Sequence, residues 1–153
     1  FGATATLGAD WRTTLRAFAA AGGPLLGICL GMQWLFEGSD EAPGLDGLGL
    51  FPGRCTRLAA ARVPHVGWNS LDPARASALL DGIPPGAQVY FTHSFAAPVT
   101  DTCVASTLYG TPFASLSARG NVAGAQFHPE KSGVVGLRFL RNFLAGVAGP
   151  RHV

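Results

Sequence analysis

Residues 24–36 read Pro24-Leu25-Leu26-Gly27-Ile28-Cys29-Leu30-Gly31-Met32-Gln33-Trp34-Leu35-Phe36. The apolar run 24–28 reads as a buried strand, and a helix-prone segment follows it. Between them, Gly27-Ile28-Cys29-Leu30-Gly31 has the pattern of a nucleophile elbow with Cys in place of Ser. Such a strand-to-helix turn holds its nucleophile in a strained backbone conformation, and a Cβ at 27 or 31 is expected to clash with neighbouring chain. Cys29 then stands at a helix N-terminus, where unpaired N–H groups and the helix dipole favour its thiolate. A lone cysteine in an apolar run is as readily a small core residue, so the motif needs a second element.

That element is Gln126-Phe127-His128-Pro129-Glu130, after a strand-like run at 121–127. A cysteine nucleophile needs a base, and the base needs an orienting acceptor. His128 and Glu130 supply both from one turn. A residue before proline favours extended backbone, so His128 ends a strand and Glu130 lies past the bend. A surface turn with an exposed carboxylate is the alternative. With the elbow present, a triad of Cys29, His128 and Glu130 explains more.

Composition bounds the rest. The chain has 153 residues, 48% hydrophobic and 13% charged, which suits one folded domain with a sizeable core rather than disorder. A net charge of +2 is too small and scattered to imply nucleic acid. No run has the length of a membrane span and no signal peptide opens the chain. Cys29, Cys55 and Cys103 form no CxxC pair, which fits free thiols in a cytoplasmic protein. His65, His93 and His152 show no metal-ligand spacing; the first two read as structural or interfacial, the last as tail. No cofactor motif is present: Gly47-Leu48-Gly49-Leu50-Phe51-Pro52-Gly53 has no helix pattern after it and reads as strand and turn.

Along the chain, Leu7, Trp11, Leu15, Phe18 and Ala19 have helical spacing, with Asp10 as N-cap and the apolar residues directed to the core. Strands are expected at 55–58, 63–68 and 89–95, with Pro64 confining the second to an edge. Residues 74–80 read as a short helix. An antiparallel pair is expected at 102–109 and 112–118. From Gly133 on, Val134, Leu137, Leu140, Phe143 and Leu144 form one helical stripe, with Arg138, Arg141 and Asn142 facing away.

These motifs together resemble the class I, triad-type glutamine amidotransferases. The resemblance rests on Gly-Ile-Cys-Leu-Gly-Met-Gln (27–33) and Gln-Phe-His-Pro-Glu-Lys-Ser (126–132). Pro-His-Val-Gly-Trp-Asn (64–69), His-Ser-Phe (93–95) and Met32 narrow it to the glutaminase subunits of imidazole glycerol phosphate synthases. The resemblance implies a flavodoxin-like α/β fold with a mostly parallel sheet flanked by helices. It implies hydrolysis of L-glutamine to glutamate and ammonia, with ammonia passed to a (β/α)8-barrel cyclase subunit in histidine biosynthesis.

Carried over by position, Cys29 attacks the amide, His128 moves protons and Glu130 orients His128. Leu30 N–H is an oxyanion donor. Gln33, Ser94 and Phe95 bind substrate, Phe95 standing where Tyr is common. Arg62 (where Lys is common), His65, Trp68 and Asn69 face the partner. The resemblance also implies a βαβ unit and a Pro-Gly-x-Gly loop ahead of Phe1, with a second oxyanion donor, so the 153-residue chain alone is expected to be weak or inactive. Three other readings stay open: an amidotransferase domain of another synthase, a partner-binding subunit that hydrolyses nothing, and a cysteine peptidase with a similar elbow.

Overall fold

The computed structural model describes residues 1–148; His152 lies outside the described residues. After a 3-10 segment at Gly2–Leu7 come α1 (Gly8–Ala20), β1 (Leu25–Ile28), α2 (Leu30–Leu35), β2 (Gly38–Ser39) and β3 (Arg54–Arg57). Next are β4 (His65–Ser70), β5 (Asp72–Pro73), β6 (Gln88–His93), β7 (Phe95–Ala96) and β8 (Cys103–Tyr109). β9 (Thr111–Arg119), β10 (Val122–Ala125) and α3 (Gly133–Ala148) complete the order.

The main sheet has the order β1-β10-β9-β8-β5. Only β1 and β10 run parallel in it; the β10·β9, β9·β8 and β8·β5 pairs are antiparallel. The sheet is therefore mixed and not mostly parallel. For the β8·β9 and β9·β10 pairs the physical reason is connection length: Gly110 (φ 72) and Gly120 (φ 57) make turns too short for anything but antiparallel pairing. Small sheets β2-β3-β7 and β4-β6 lie beside it.

Successive side chains on β9 and β10 go to opposite faces, and on β9 the register shift opposite Ala105 and Ser106 changes the parity between Ala114 and Leu116. Ala114 and Val122 join one core with Met32, Leu35 and Phe36 of the elbow-helix region and Ala19 of α1. Phe113, Leu116 and Ala125 join a second core with Phe91 of β6 and Phe139 of α3. Phe127 is fully buried in that second core, edge-on to Phe91 at 6.2 Å and Phe139 at 5.4 Å. Aromatic pairs in this geometry gain on top of their burial.

Helix rotation departs from the apolar pattern twice. On α1, Ala19 is buried and Leu15 half-buried, but Leu7, Trp11 and Phe18 are exposed. Two polar contacts go with this rotation: Asn121 Nδ2 donates to Ala19 O, and Arg12 pairs with Asp46 at 3.7 Å. Asp10 lies inside the first turn; Leu7 is the N-cap. On α3 the buried face carries Gly136 and Phe139, while Val134, Leu137 and Leu144 are exposed. A Cβ on Gly136 would lie 2.0 Å from Pro129 O, so this close approach turns that side inward. Asn142 does not face away, since its Nδ2 donates to Leu79 O and Asp81 O.

Residues 74–80 form no full helix; a single 3-10 turn at Ala78–Leu80 is capped by Ser77. Ala74 and Arg75 instead donate to Val104 O, extending the β5 edge. Residues 47–53 form a loop with no strand. There a Cβ on Gly47 would lie 1.9 Å from Phe36 O, so that glycine serves close packing. No helix among the described residues is long and apolar enough to cross a membrane.

Candidate active site

Two parallel strands carry the central residues. In the β1·β10 register Ile28 faces Ala125, and Cys29 N–H donates to Ala125 O at 2.7 Å. Cys29 and His128 therefore leave the same, C-terminal edge of neighbouring parallel strands, where open α/β sheets build their sites.

Cys29 has φ 51 and ψ −107, the one non-glycine residue with positive φ among the described residues. Such strain costs of order 1–3 kcal/mol and persists only where surroundings enforce it. Gly27 makes the elbow possible: a Cβ there would lie 2.5 Å from Gly31 O and 2.7 Å from Met32 N. Gly31 has no such neighbour, with nothing within 4 Å of its Cβ position. The close approach is thus one-sided, at 27 alone.

The Cys29 thiol does not sit low. Burial raises it, the Leu30 backbone N–H opposes that, Glu130's charge raises it further and the Gln126 side chain lowers it, leaving it above its ordinary value. Desolvation thus outweighs the expected helix-end preference for the thiolate. Sγ points its hydrogen at Thr92 O, 3.9 Å away.

His128 Nδ1 lies 2.7 Å from Glu130 Oε1, and His128 N–H donates to Tyr90 O. His128 Nε2 is buried with no hydrogen-bond partner among the described residues. A buried, unpaired ring nitrogen is costly unless something is meant to meet it. Burial works against the Glu130 charge, but its own backbone N–H, the His128 hydrogen bond and the His128 and Lys131 charges hold the carboxyl below its ordinary range. With Nδ1–H given to the carboxylate, Nε2 is free to accept a proton.

The other expected site residues are placed as follows. Gln33 is buried, and its Nε2 donates to Phe95 O at 2.8 Å and Gln126 Oε1 at 3.0 Å. Ser94 O accepts from Leu58 N–H, so the carbonyls of Ser94 and Phe95 both serve internal bonds. Arg62 is exposed, Trp68 is 57% exposed beside Val66, and Asn69 is half-buried. His65 is not on that surface. It is buried, stacked on Tyr109 at 3.9 Å and 3.0 Å from His93 Nε2. The period of two along β4 turns His65 inward when Val66 and Trp68 face out. Sequence reading missed Gln126 and Thr92. Gln126 carried a signal: it is the one polar side chain in the apolar run 122–127. Among the described residues no group of three or more His, Cys, Asp or Glu is placed to hold a metal ion.

Comparison with known proteins fits this geometry. The imidazole glycerol phosphate synthase subunit HisH of Deinococcus radiodurans is 54% identical over 132 residues, covering 82% of this chain and 60% of the relative. The HisH subunit of Xylella fastidiosa is 54% identical over 124 residues, covering 79% and 62%. The chain thus spans about three-fifths of the length of these relatives. Among solved structures, PurLQS from Thermotoga maritima superposes with a TM-score of 0.68 at 19% identity, over 89% of this chain and 68% of that one. Such a likeness speaks for the fold. The family model for glutamine amidotransferase class-I matches residues 2–147, the stretch holding both the strained elbow and the His–Glu turn; the chain belongs to the class I glutamine amidotransferase family.

Proposed function

We propose that this chain is a single glutamine amidotransferase domain of an imidazole glycerol phosphate synthase glutaminase subunit, working in the cytoplasm. It hydrolyses L-glutamine to glutamate and ammonia, and hands the ammonia to a cyclase subunit for imidazole glycerol phosphate formation. The observation that carries the reading is the pairing of a positive-φ cysteine with a histidine bonded to a carboxylate and free at Nε2, on adjacent parallel strands. The identity to HisH subunits supports the choice of synthase.

In this mechanism His128 Nε2 takes the Cys29 proton as sulfur attacks the amide carbon of glutamine. Leu30 N–H donates to the oxygen that becomes negative. The protonated imidazole, steadied by Glu130, gives its proton to departing ammonia and leaves a thioester. His128 then draws a proton from water, which attacks the thioester and releases glutamate. Gln33 and the Ser94–Phe95 backbone line the substrate's path, and the Arg62–Asn69 segment meets the cyclase, with Trp68 as anchor.

Labelling with 6-diazo-5-oxo-L-norleucine, with the cyclase subunit present, tests the reading. Mass spectrometry is expected to find the adduct on Cys29, prevented by excess glutamine and lost in His128→Ala. With the cyclase subunit and the full-length glutaminase subunit, adducts spread over the thiols, or on Cys55 or Cys103 in place of Cys29, would overturn it.

A further inference from the structure

A continuous line of hydrogen bonds runs from β4 to the Cys29 sulfur, and its direction can be assigned from both ends. At the far end Asn69 Oδ1 accepts from Ser70 N–H, so its Nδ2 is the donor, to Leu108 O at 3.1 Å and to His65 Nε2 at 3.3 Å. His65 Nε2 must then accept, which puts the proton on Nδ1, aimed at His93 Nε2 at 3.0 Å. His93 in turn carries its proton on Nδ1, 2.9 Å from Phe95 O. A carbonyl oxygen only accepts, so the assignment agrees from the other side. The pattern itself uses each ring as one donor and one acceptor, the neutral form, and burial lowers both imidazoles, His93 to about 4.

Phe95 O also accepts from Gln33 Nε2, whose second hydrogen goes to Gln126 Oε1. With its oxygen held there, Gln126 has one orientation left. Its Nε2 faces Cys29 Sγ at 3.6 Å. Gln126 is fully buried, and a buried amide pinned at one end keeps its other end in place without further ordering cost.

We propose that Gln126 is a positioning residue for the nucleophile. Its N–H group is the fixed side-chain donor that stabilises the sulfur's charge when the thiol gives up its proton, and Gln33, bonded to Phe95 O and to Gln126 Oε1, holds that donor toward the sulfur, while the Asn69–His65–His93 bonds end on the same Phe95 carbonyl. The inference rests on the proposed role of Cys29. As a thiol, Cys29 donates to Thr92 O; once ionised it has no proton to donate, and that carbonyl faces a negative sulfur. The Leu30 N–H and the Gln126 amide are the groups that offset this. The titratable and charged groups acting on Cys29 are Glu130 and the amino group of Phe1, with His128 beside Glu130. None of them donates to Sγ among the described residues.

The test is the pH dependence of Cys29 alkylation by iodoacetamide, read residue by residue by mass spectrometry so that buried Cys55 and Cys103 do not contribute. Gln126→Met keeps the volume and removes the donor. Gln33→Met leaves Gln126 in place but frees its amide to turn. The Gln126→Met midpoint is expected to rise by about 1 to 2 pH units, the range a hydrogen bond to a charged group supplies. Gln33→Met is expected to shift it the same way by less. A purely structural role would instead speed alkylation at every pH and leave the midpoint unmoved. An unmoved midpoint in folded Gln126→Met overturns the proposal; if that variant does not fold, an unmoved midpoint in Gln33→Met does so. Alkylation needs neither glutamine nor a partner, so this result stands apart from the outcome of the norleucine labelling.

Discussion

Acid should destabilise this protein well before its carboxylates titrate, and His93 sets the reason. Its imidazole is 6% exposed, and burial lowers it from 6.5 to about 4, helped by the nearby His65 and His128 and opposed by the Phe95 carbonyl. The unfolded chain takes up the proton first as pH falls. Between the two values it binds more protons than the folded chain, so stability rises with pH there. The contribution is fully present above 6.5 and is lost as pH falls toward 4. At about 1.36 kcal/mol per pH unit the whole interval is worth about 3 kcal/mol, a large share of the roughly 5–15 kcal/mol that holds a domain folded. His65 titrates in the same direction. Geometry agrees: a proton on His93 Nε2 would point at the His65 Nδ1–H that now donates to it. Urea unfolding at steps through this interval measures the slope. Wild type is expected to approach about 1.36 kcal/mol per pH unit or more, and His93→Gln, which keeps an amide donor for Phe95 O, to be clearly shallower, with only the slope that His65 supplies. A flat wild-type profile, or a variant as steep as wild type, would refute the argument.

The elbow offers two sharper contrasts. Gly27→Ala drives a Cβ into the Gly31 carbonyl and should cost about 1–3 kcal/mol or more, while Gly31→Ala, with open space and a helical position, should be neutral or gain up to about 1 kcal/mol; comparing the two urea midpoints checks this. Cys29→Gly should be more stable than Cys29→Ala by about 1 kcal/mol, since glycine relieves the strain at φ 51 less its own entropy cost; equal midpoints would mean that the elbow stores no strain. Trp68→Ala, at an exposed position, should leave stability within about 0.5 kcal/mol and, if the proposed interface holds, weaken binding of the proposed cyclase partner by at least about tenfold, as titration calorimetry would read; unchanged binding would remove Trp68 from that interface.

Much of the site was legible in one dimension because its chemistry is written in contiguous runs. Residues 24–36 held the strand, the glycine turn and the proposed nucleophile, and 126–130 held the proposed base and the carboxylate bonded to it, two positions apart. Spacing of that kind survives any packing. The hairpin at Gly110 was legible for the same reason. What the chain's order could not reveal depends on atoms far apart in it. The rotations of α1 and α3 do not follow the apolar stripe; on α3 the close approach of Gly136 to the Pro129 carbonyl turns that side inward, and on α1 Asn121 bonds the Ala19 carbonyl. The tilt of the thiol toward its neutral form comes from burial under neighbours that a helix-end argument cannot count. Gln126 lies 97 positions from Cys29 and 93 from Gln33, and His93 lies 28 from His65. Local residue types determined that a cysteine elbow and a His–Glu turn would exist. Only the pairing of β1 with β10 and the packing of α2 against β10 decided which buried amide meets the sulfur, because a hydrogen bond's partner is fixed by three-dimensional proximity and its direction by which group there can donate.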